Sequence, residues 1–423
     1  METLFRAYNR RLEDLTTNRV QNHDDTSAAE VRRKKREAHI QTNYFRYLHA
    51  SIDWSERLIG IKGAKGVGKT TMLLQHIRLT FPDRTRAFYA SLDNIWFSTH
   101  TLPELVEYLY THGVTHLFLD EVHKYHGWIQ TIKNLYDDYP KLSIVFTGSS
   151  LLEIDNAEGD LSRRLRMYTL HGLSFREYLD ITGTAHLPVL SLHDILASHM
   201  QLASSITSDL KVLPHFEQYL KTGYYPFFLE TGSQESYYER LQKVVSTVID
   251  NDIPAVENIE YETLQKAKRL LMMLAQTAPF TPNIANLCVA LSTTRNQLIR
   301  LLSLLERAAL IRQFHADGKG LKAVGKPDKI LLNNTNLMHA LGFTADAGTA
   351  REAFFSSMMA HGCNIQYAKQ GDLQVDGKYL FEVGGRKKGF KQIADLPDSY
   401  VAADNIETGF GNKIPLWLFG FLY

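Results

Sequence analysis

Gly63-Ala64-Lys65-Gly66-Val67-Gly68-Lys69-Thr70-Thr71 satisfies the pattern G-x-x-x-x-G-K-[ST]. It stands between an apolar run, Arg57–Lys62, and an amphipathic stretch, Thr70–Leu79. A strand entering such a loop and a helix leaving it form a phosphate cradle. Gly63 and Gly68 let the chain turn back on itself without side chains that would block a phosphate. The loop N–H groups and the helix N-terminus then face the anion. Lys69 is expected to reach the β- and γ-phosphates of ATP, and the Thr70 hydroxyl to ligate Mg²⁺.

Downstream, short apolar runs alternate with helical patterns. Strands are expected at Arg57–Lys62, Thr85–Ser91, His116–Asp120 and Leu142–Thr147, and helices at Thr70–Leu79, Leu102–His112 and Trp128–Asp138. That alternation predicts βαβ units and a parallel α/β sheet, whose strands are apolar because both faces are covered. The run His116-Leu-Phe-Leu-Asp120-Glu121 ends in two acids, fifty residues after Thr70. It predicts Asp120 beside the P-loop, holding the Mg²⁺ shell, and Glu121 orienting and deprotonating the attacking water. The next strand ends in Thr147-Gly148-Ser149-Ser150, where Ser149 is a candidate to sense the γ-phosphate and, equally, a turn residue capping the next helix. Arg163, Arg164 and Arg166 follow. An arginine there is a candidate finger for transition-state charge, in its own subunit or a neighbour.

These motifs together, with Leu173-Ser174-Phe175-Arg176-Glu177-Tyr178 and Gly223-Tyr-Tyr-Pro226, resemble the prokaryotic AAA-type P-loop ATPases that carry a C-terminal domain of uncharacterised function. Tyr224 stands where that family's Gly-Gly-x-Pro signature has its second glycine. The resemblance covers nearly everything from about residue 40. It implies an AAA-like core, then a helical and winged-helix region, then a small α+β domain of restriction-endonuclease-like fold. It also implies Lys69, Thr70, Asp120 and Glu121 in the roles given above. Arg164 matches the family's Gly-Arg position, with Arg163 in place of the glycine.

The expected organisation is a helical N-terminal arm over 1–48, the ATPase domain over 49–182, a helical linker or lid over 183–255, a winged-helix-like domain over 256–335 and the C-terminal domain over 336–423. In the winged-helix region, helices are expected at Thr263–Gln276, at Asn283–Leu291 and from Thr293 to about Ala308, with short strands at Leu310–Phe314 and Lys329–Leu332. The third helix would present Arg295, Asn296, Gln297 and Arg300 to phosphates or base edges of DNA. Winged helices also dock proteins, so DNA contact is one of two readings.

The final segment reads as a helix, Thr349–His361, then strands at Ile365–Ala368, Leu373–Val375, Tyr379–Val383 and Pro415–Gly420. Restriction-type endonucleases place an acid and then E-x-K on adjacent strands, the acids binding Mg²⁺ and the lysine helping to activate water. Glu352, Asp372 and Glu382 are the matching acids and a candidate second metal site, with Gln392 on an expected helix. The lysine position is Gly384; Arg386 or Lys387 would have to substitute from a shifted place. A missing lysine points to a fold that persists without cleavage, as a structural or nucleic-acid-binding module. Lys387 joins the candidate DNA contacts.

Composition bounds the partners. Lys+Arg is 47 against Asp+Glu 46 among 423 residues, so no global field draws the chain to nucleic acid. The basic run Arg32–Arg36 reads as a solvated helix face more readily than as a contact. Cys288 and Cys363 stand apart, without metal-ligand spacing. The polar N-terminus and the lack of a long apolar run predict a cytoplasmic protein. The composite expectation is a Mg²⁺-dependent ATPase whose turnover moves C-terminal domains near DNA, as a homo-oligomer or with a partner protein. The rivals are an ATP-binding switch with negligible turnover and a P-loop kinase, for which no acceptor site is visible.

Overall fold

In the computed structural model the described residues are 44–81, 85–148, 163–256, 259–276, 282–316, 326–341, 346–394 and 396–423. The basic run Arg32–Arg36, Ser149 and Ser150 lie outside them. The chain divides into two compact units, Met1–Leu170 and His171–Tyr423.

The apolar runs around the P-loop are buried because they form one all-parallel sheet. Its elements are helix α1 (Tyr47–Ser51), β1 (Leu58–Lys62), α2 (Lys69–Thr80), β2 (Ala87–Ser91), α3 (Leu102–Thr111), β3 (His116–Asp120), α4 (Trp128–Asp138), β4 (Ser143–Gly148) and β5 (Arg166–Thr169). The strand order is β2-β3-β4-β1-β5, and every pairing is parallel. This is an AAA-like P-loop α/β fold. Strand β4 separates the strand that feeds the P-loop from the strand that carries Asp120. Residues 44–48, expected in the N-terminal arm, instead pack on this unit. Gln75 Nε2 donates to the Tyr44 carbonyl at 3.0 Å, and Tyr47 Oη to the Thr169 carbonyl at 3.0 Å.

In the second unit, Ser174 caps α5 (Phe175–Ile181) in a reciprocal box with Glu177. Its hydroxyl and Arg176 Nε donate to the Tyr423 main-chain oxygen at 2.6 and 2.9 Å. These long-range bonds tie the start of α5 to the last residue within the second unit. Helices α6 (Leu192–Thr207), α7 (Val212–Thr222) and α8 (Gln234–Thr247) follow. Buried Asn336 pins the loop after α7. Its Oδ1 accepts from the Tyr224 N–H at 2.8 Å and the Tyr237 hydroxyl at 2.5 Å, and its Nδ2 donates to the Leu220 carbonyl at 2.8 Å. The Tyr224 ring lies over Gly172, where a Cβ would come within 2.2 Å of it.

Next come α9 (Tyr261–Gln276), α10 (Ile284–Ala290) and α11 (Arg295–Arg307), then an antiparallel pair, β6 (Ile311–Phe314) and β7 (Lys329–Leu332). The cap of α11 is Thr294, not Thr293. Thr294 accepts from the Gln297 N–H, while Thr293 donates to the Gln297 side chain. Helices α12 (Thr335–Ala340) and α13 (Ala347–Met359) lead into β8 (Ile365–Tyr367), β9 (Leu373–Val375), β10 (Tyr379–Gly384), β11 (Ser399–Ala403) and β12 (Lys413–Pro415). The sheet order is β12-β11-β10-β9-β8. The pairs β8/β9 and β9/β10 are antiparallel, while β10/β11 and β11/β12 are parallel.

Two expectations change here. The apolar run expected as a strand over Pro415–Gly420 is a 3₁₀ turn over Leu416–Phe421, buried throughout; an apolar run buried on all sides has no period to distinguish strand from helix. Gln392 lies in a turn rather than on a helix. No described helix is long and apolar enough to cross a membrane.

Candidate nucleotide site

The P-loop glycines answer to separate constraints. Gly66 and Gly68 have φ of 89° and 98°, a region that costs an L-residue about 1–2 kcal/mol. Gly63 has no such φ. A Cβ there would come within 2.3 Å of the Leu170 carbonyl oxygen, just past the end of β5. The absence of a side chain at 63 therefore lets β5 close on β1, where the Leu170 N–H reaches the Lys62 carbonyl at 2.7 Å. Gly68 is the N-cap of α2 and supplies no side chain, so the helix N-terminus keeps donors for an anion. Lys69 is buried and folded onto its own loop. Its Nζ donates to the Gly63 and Ala64 carbonyls at 2.7 and 2.9 Å. Arg46 Nη1 donates to the Val67 carbonyl at 2.5 Å and braces the loop from outside.

Asp120 is the hub. Its Oδ2 accepts from the Thr70 hydroxyl at 2.6 Å and the Tyr89 hydroxyl at 2.9 Å. Its Oδ1 accepts a short bond from the Thr147 hydroxyl. Asp120 and Thr147 sit at the C-terminal ends of β3 and β4 and Thr70 at the start of α2, while Tyr89 reaches Asp120 from the middle of the neighbouring β2. Because the Thr70 proton is given to Asp120, the lone pairs of Oγ1 remain for a cation. A hydroxyl and a carboxylate are the hard oxygen donors that Mg²⁺ prefers, and the residues present fit that ion.

Glu121 follows directly, in the left-handed region (φ 56°, ψ 46°). That conformation in a non-glycine is uncommon and costs on the order of 1 kcal/mol. Its N–H donates to Thr147 Oγ1 at 3.3 Å. Thr147 thus touches both acids. Ser149, the expected γ-phosphate sensor, lies outside the described residues. Tyr89 and Arg46 carried no signal in the sequence beyond their places in a strand and before the loop.

The arginines are elsewhere. Arg163 and Arg164 precede β5, which runs parallel to β1. They therefore lie at the edge of the sheet where strands begin, while the P-loop, Asp120 and Glu121 lie where strands end. Arg164 is paired with Asp137 at the far end of α4, Nε to Oδ1 at 3.1 Å and Nη2 to Oδ2 at 3.3 Å. This placement speaks against a finger acting on the chain's own site.

Behind the P-loop helix, His76 stacks on Trp54 with ring centroids 3.6 Å apart. Burial, with smaller contributions from His49 and His116, pushes its pKa down to about 3.

The C-terminal acids converge differently from expectation. Glu352 on α13, Asp372 before β9 and Glu382 on β10 are near one another, but two lysines stand among them. Lys329 of β7 forms an ion pair with Glu352 and lies 3.6 Å from Asp372 Oδ1. Lys388, not Arg386 or Lys387, contacts Glu382. Gly384 makes this reach possible, since a Cβ there would come within 2.6–2.9 Å of the Lys388 stem. With its amide nitrogen turned to the carboxylate, Gln392 donates to Glu382 Oε2 at 2.8 Å. Among the described residues no three His, Cys, Asp or Glu side chains converge on a metal position. The donor set does not fit the second metal site.

Residues 55–179 match the family model described as "AAA domain". The match and the sheet order agree on an AAA-like P-loop α/β fold. Residues 213–347 match a domain of unknown function (DUF8612). Over 391 residues the chain is 28% identical to the uncharacterized protein MJ1637 of Methanocaldococcus jannaschii, covering 85% of this chain and 82% of that one. Among solved structures, the Aeropyrum pernix ORC1 protein in complex with DNA is 14% identical, covers 78% of this chain and 96% of its own, and gives a TM-score of 0.32. AMPPCP-bound DnaA from Aquifex aeolicus is 13% identical, covers 67% and 89%, and gives 0.26. Likeness this weak says nothing of function.

Proposed function

We propose that this chain binds ATP with Mg²⁺ at Gly63–Thr71 and hydrolyses it, and that turnover drives a rearrangement of the C-terminal domains in a DNA-associated process. The observation that carries this reading is the shared carboxylate of Asp120, bonded to Thr70, with Glu121 next in the chain and bound to the same Thr147. The loop N–H groups and Lys69 bind the phosphates, Lys69 exchanging its loop carbonyls for phosphate oxygens. Thr70 and Asp120 would hold Mg²⁺, whose charge when bound would offset that of the phosphates. Glu121 accepts a proton from water as the water oxygen attacks the γ-phosphorus. The bond from that phosphorus to the β–γ bridging oxygen breaks, and its electron pair stays on ADP. Arg163 or Arg164 of a neighbouring copy is the candidate for the remaining transition-state charge, which implies a homo-oligomer.

Arg295, Asn296 and Arg300 are exposed at the start of α11, and Lys387 is exposed after β10. They are the proposed DNA contacts. The test is the ATPase rate with single-stranded DNA, duplex DNA or RNA, at stated salt. Stimulation by one polymer names the partner class, and no response to any favours a protein partner.

A second reading keeps ATP binding with negligible turnover and a C-terminal domain that does not cleave nucleic acid. The lysines among Glu352, Asp372 and Glu382 favour its second half. Phosphate release without an added acceptor counts against a kinase.

A further inference from the structure

We infer that the carboxylate cluster of the second unit is a cation site filled from within: the Lys329 ammonium takes the place of a divalent metal between Glu352 and Asp372. The inference is independent of the ATPase reading.

The oxygens of the cluster are largely committed. Asp372 Oδ2 accepts the Val383 N–H at 2.8 Å, and its Oδ1 faces Lys329. Glu352 Oε2 lies against Lys329 as an ion pair without hydrogen-bond alignment. Glu382, only 2% exposed, is covered by Lys388 and Gln392. Mg²⁺ and Mn²⁺ need near-octahedral oxygen coordination and usually keep several waters. Here a cation would have to displace the ammonium of Lys329, a residue only 5% exposed, which would otherwise repel it.

Lys329 is not free to leave on its own. Its backbone is fixed opposite Phe314 in the β6/β7 pair, so the side chain is delivered by a hairpin that precedes the acids in sequence. Two lysines against three carboxylates nearly neutralise the cluster, and hydrogen bonds satisfy much of the rest. A buried charge cluster of this kind persists only when so compensated. It holds β7, α13, β9 and β10 together without a metal and leaves none to activate water.

The test is Mn²⁺ binding to the full chain without nucleotide, followed by electron paramagnetic resonance, for wild type, Asp372→Asn, Lys329→Met and the double variant. Wild type and Asp372→Asn are expected to bind identically. Lys329→Met, which keeps the stem and removes the charge, is expected to gain a site at least about tenfold tighter than any in wild type, lost again in the double variant. Wild-type binding that disappears in Asp372→Asn would overturn the inference, as would a folded Lys329→Met chain with no new site. If Lys329→Met does not fold, the wild-type and Asp372→Asn pair decides alone. ATPase rates measured on the same samples separate this result from the fate of the P-loop reading.

Discussion

The Thr70 hydroxyl donates to Asp120 Oδ2 at 2.6 Å across fifty residues of sequence. The bond orients both groups before any ligand arrives. The proton points to the carboxylate and the lone pairs point away from it, so the oxygen needs no reorganisation to ligate a cation. Thr70→Ala is expected to lower ATPase activity by about a hundredfold or more and to weaken the Mg²⁺ dependence of nucleotide binding, as removal of a preorganised charge-stabilising group does. Magnesium titrations of activity and of nucleotide affinity measure both.

Tyr89 acts through Asp120. Tyr89→Phe removes one hydrogen bond to a buried carboxylate, a loss of about 1.5–3 kcal/mol. Turnover is expected to fall about tenfold, with ATP affinity in the absence of Mg²⁺ unchanged. A purely structural role would instead move the melting temperature and both binding constants together.

Gly63→Ala tests the packing reading of the first P-loop glycine. Its Cβ would meet the Leu170 carbonyl, which is backbone and cannot swing away. A destabilisation of about 2 kcal/mol is expected, read as an earlier urea transition of the P-loop unit, along with loss of ATP binding.

His76 gives the P-loop unit an acid limit. Its folded pKa is near 3, against an unfolded value near 6.5. The unfolded chain therefore binds more protons between those values. The contribution of this group to stability is full above about pH 6.5 and is lost progressively as pH falls toward 3. At about 1.4 kcal/mol per unit, several kcal/mol are at stake. His76→Phe is expected to flatten stability against pH below about 6.5, read from Trp54 fluorescence in urea titrations.

The arginine assignment predicts complementation. Glu121→Gln copies keep their arginines but lack a base. Copies with both Arg163→Ala and Arg164→Ala keep the base but lack a finger. Mixtures are expected to hydrolyse ATP faster than either preparation alone. Additive rates would show that neither arginine serves a neighbour. The Arg164–Asp137 pair is largely solvent-exposed, so its loss is expected to cost less than about 1 kcal/mol of stability.

What was legible in the sequence follows the strength of local signals. His116–Asp120 and Trp128–Asp138 fall where the apolar runs and the α4 period placed them. The P-loop and the two acids were readable because a motif, a strand and a charge change coincide. Strand β5 was not, since Arg166-Met-Tyr-Thr169 is a short, half-buried edge strand without alternation. Strand β11 was missed because Ser399-Tyr-Val-Ala-Ala403 is brief and ends in alanines. Thr147 could have been found from the parallel register, which sets the end of β4 beside the end of β3. Lys329 could not, because only tertiary packing brings a hairpin lysine to acids that follow it. The place of Lys388 is explained by Gly384, whose missing side chain makes room for the stem.

Hydrolysis at the P-loop should depend on Glu121 beside Asp120. Single-turnover hydrolysis of ATP with saturating Mg²⁺, wild type against Glu121→Gln, tests it most directly. Measurable cleavage by wild type is expected, with a fall of about 10²–10⁴-fold in the variant and ATP binding retained. Equal rates in the two proteins would contradict it.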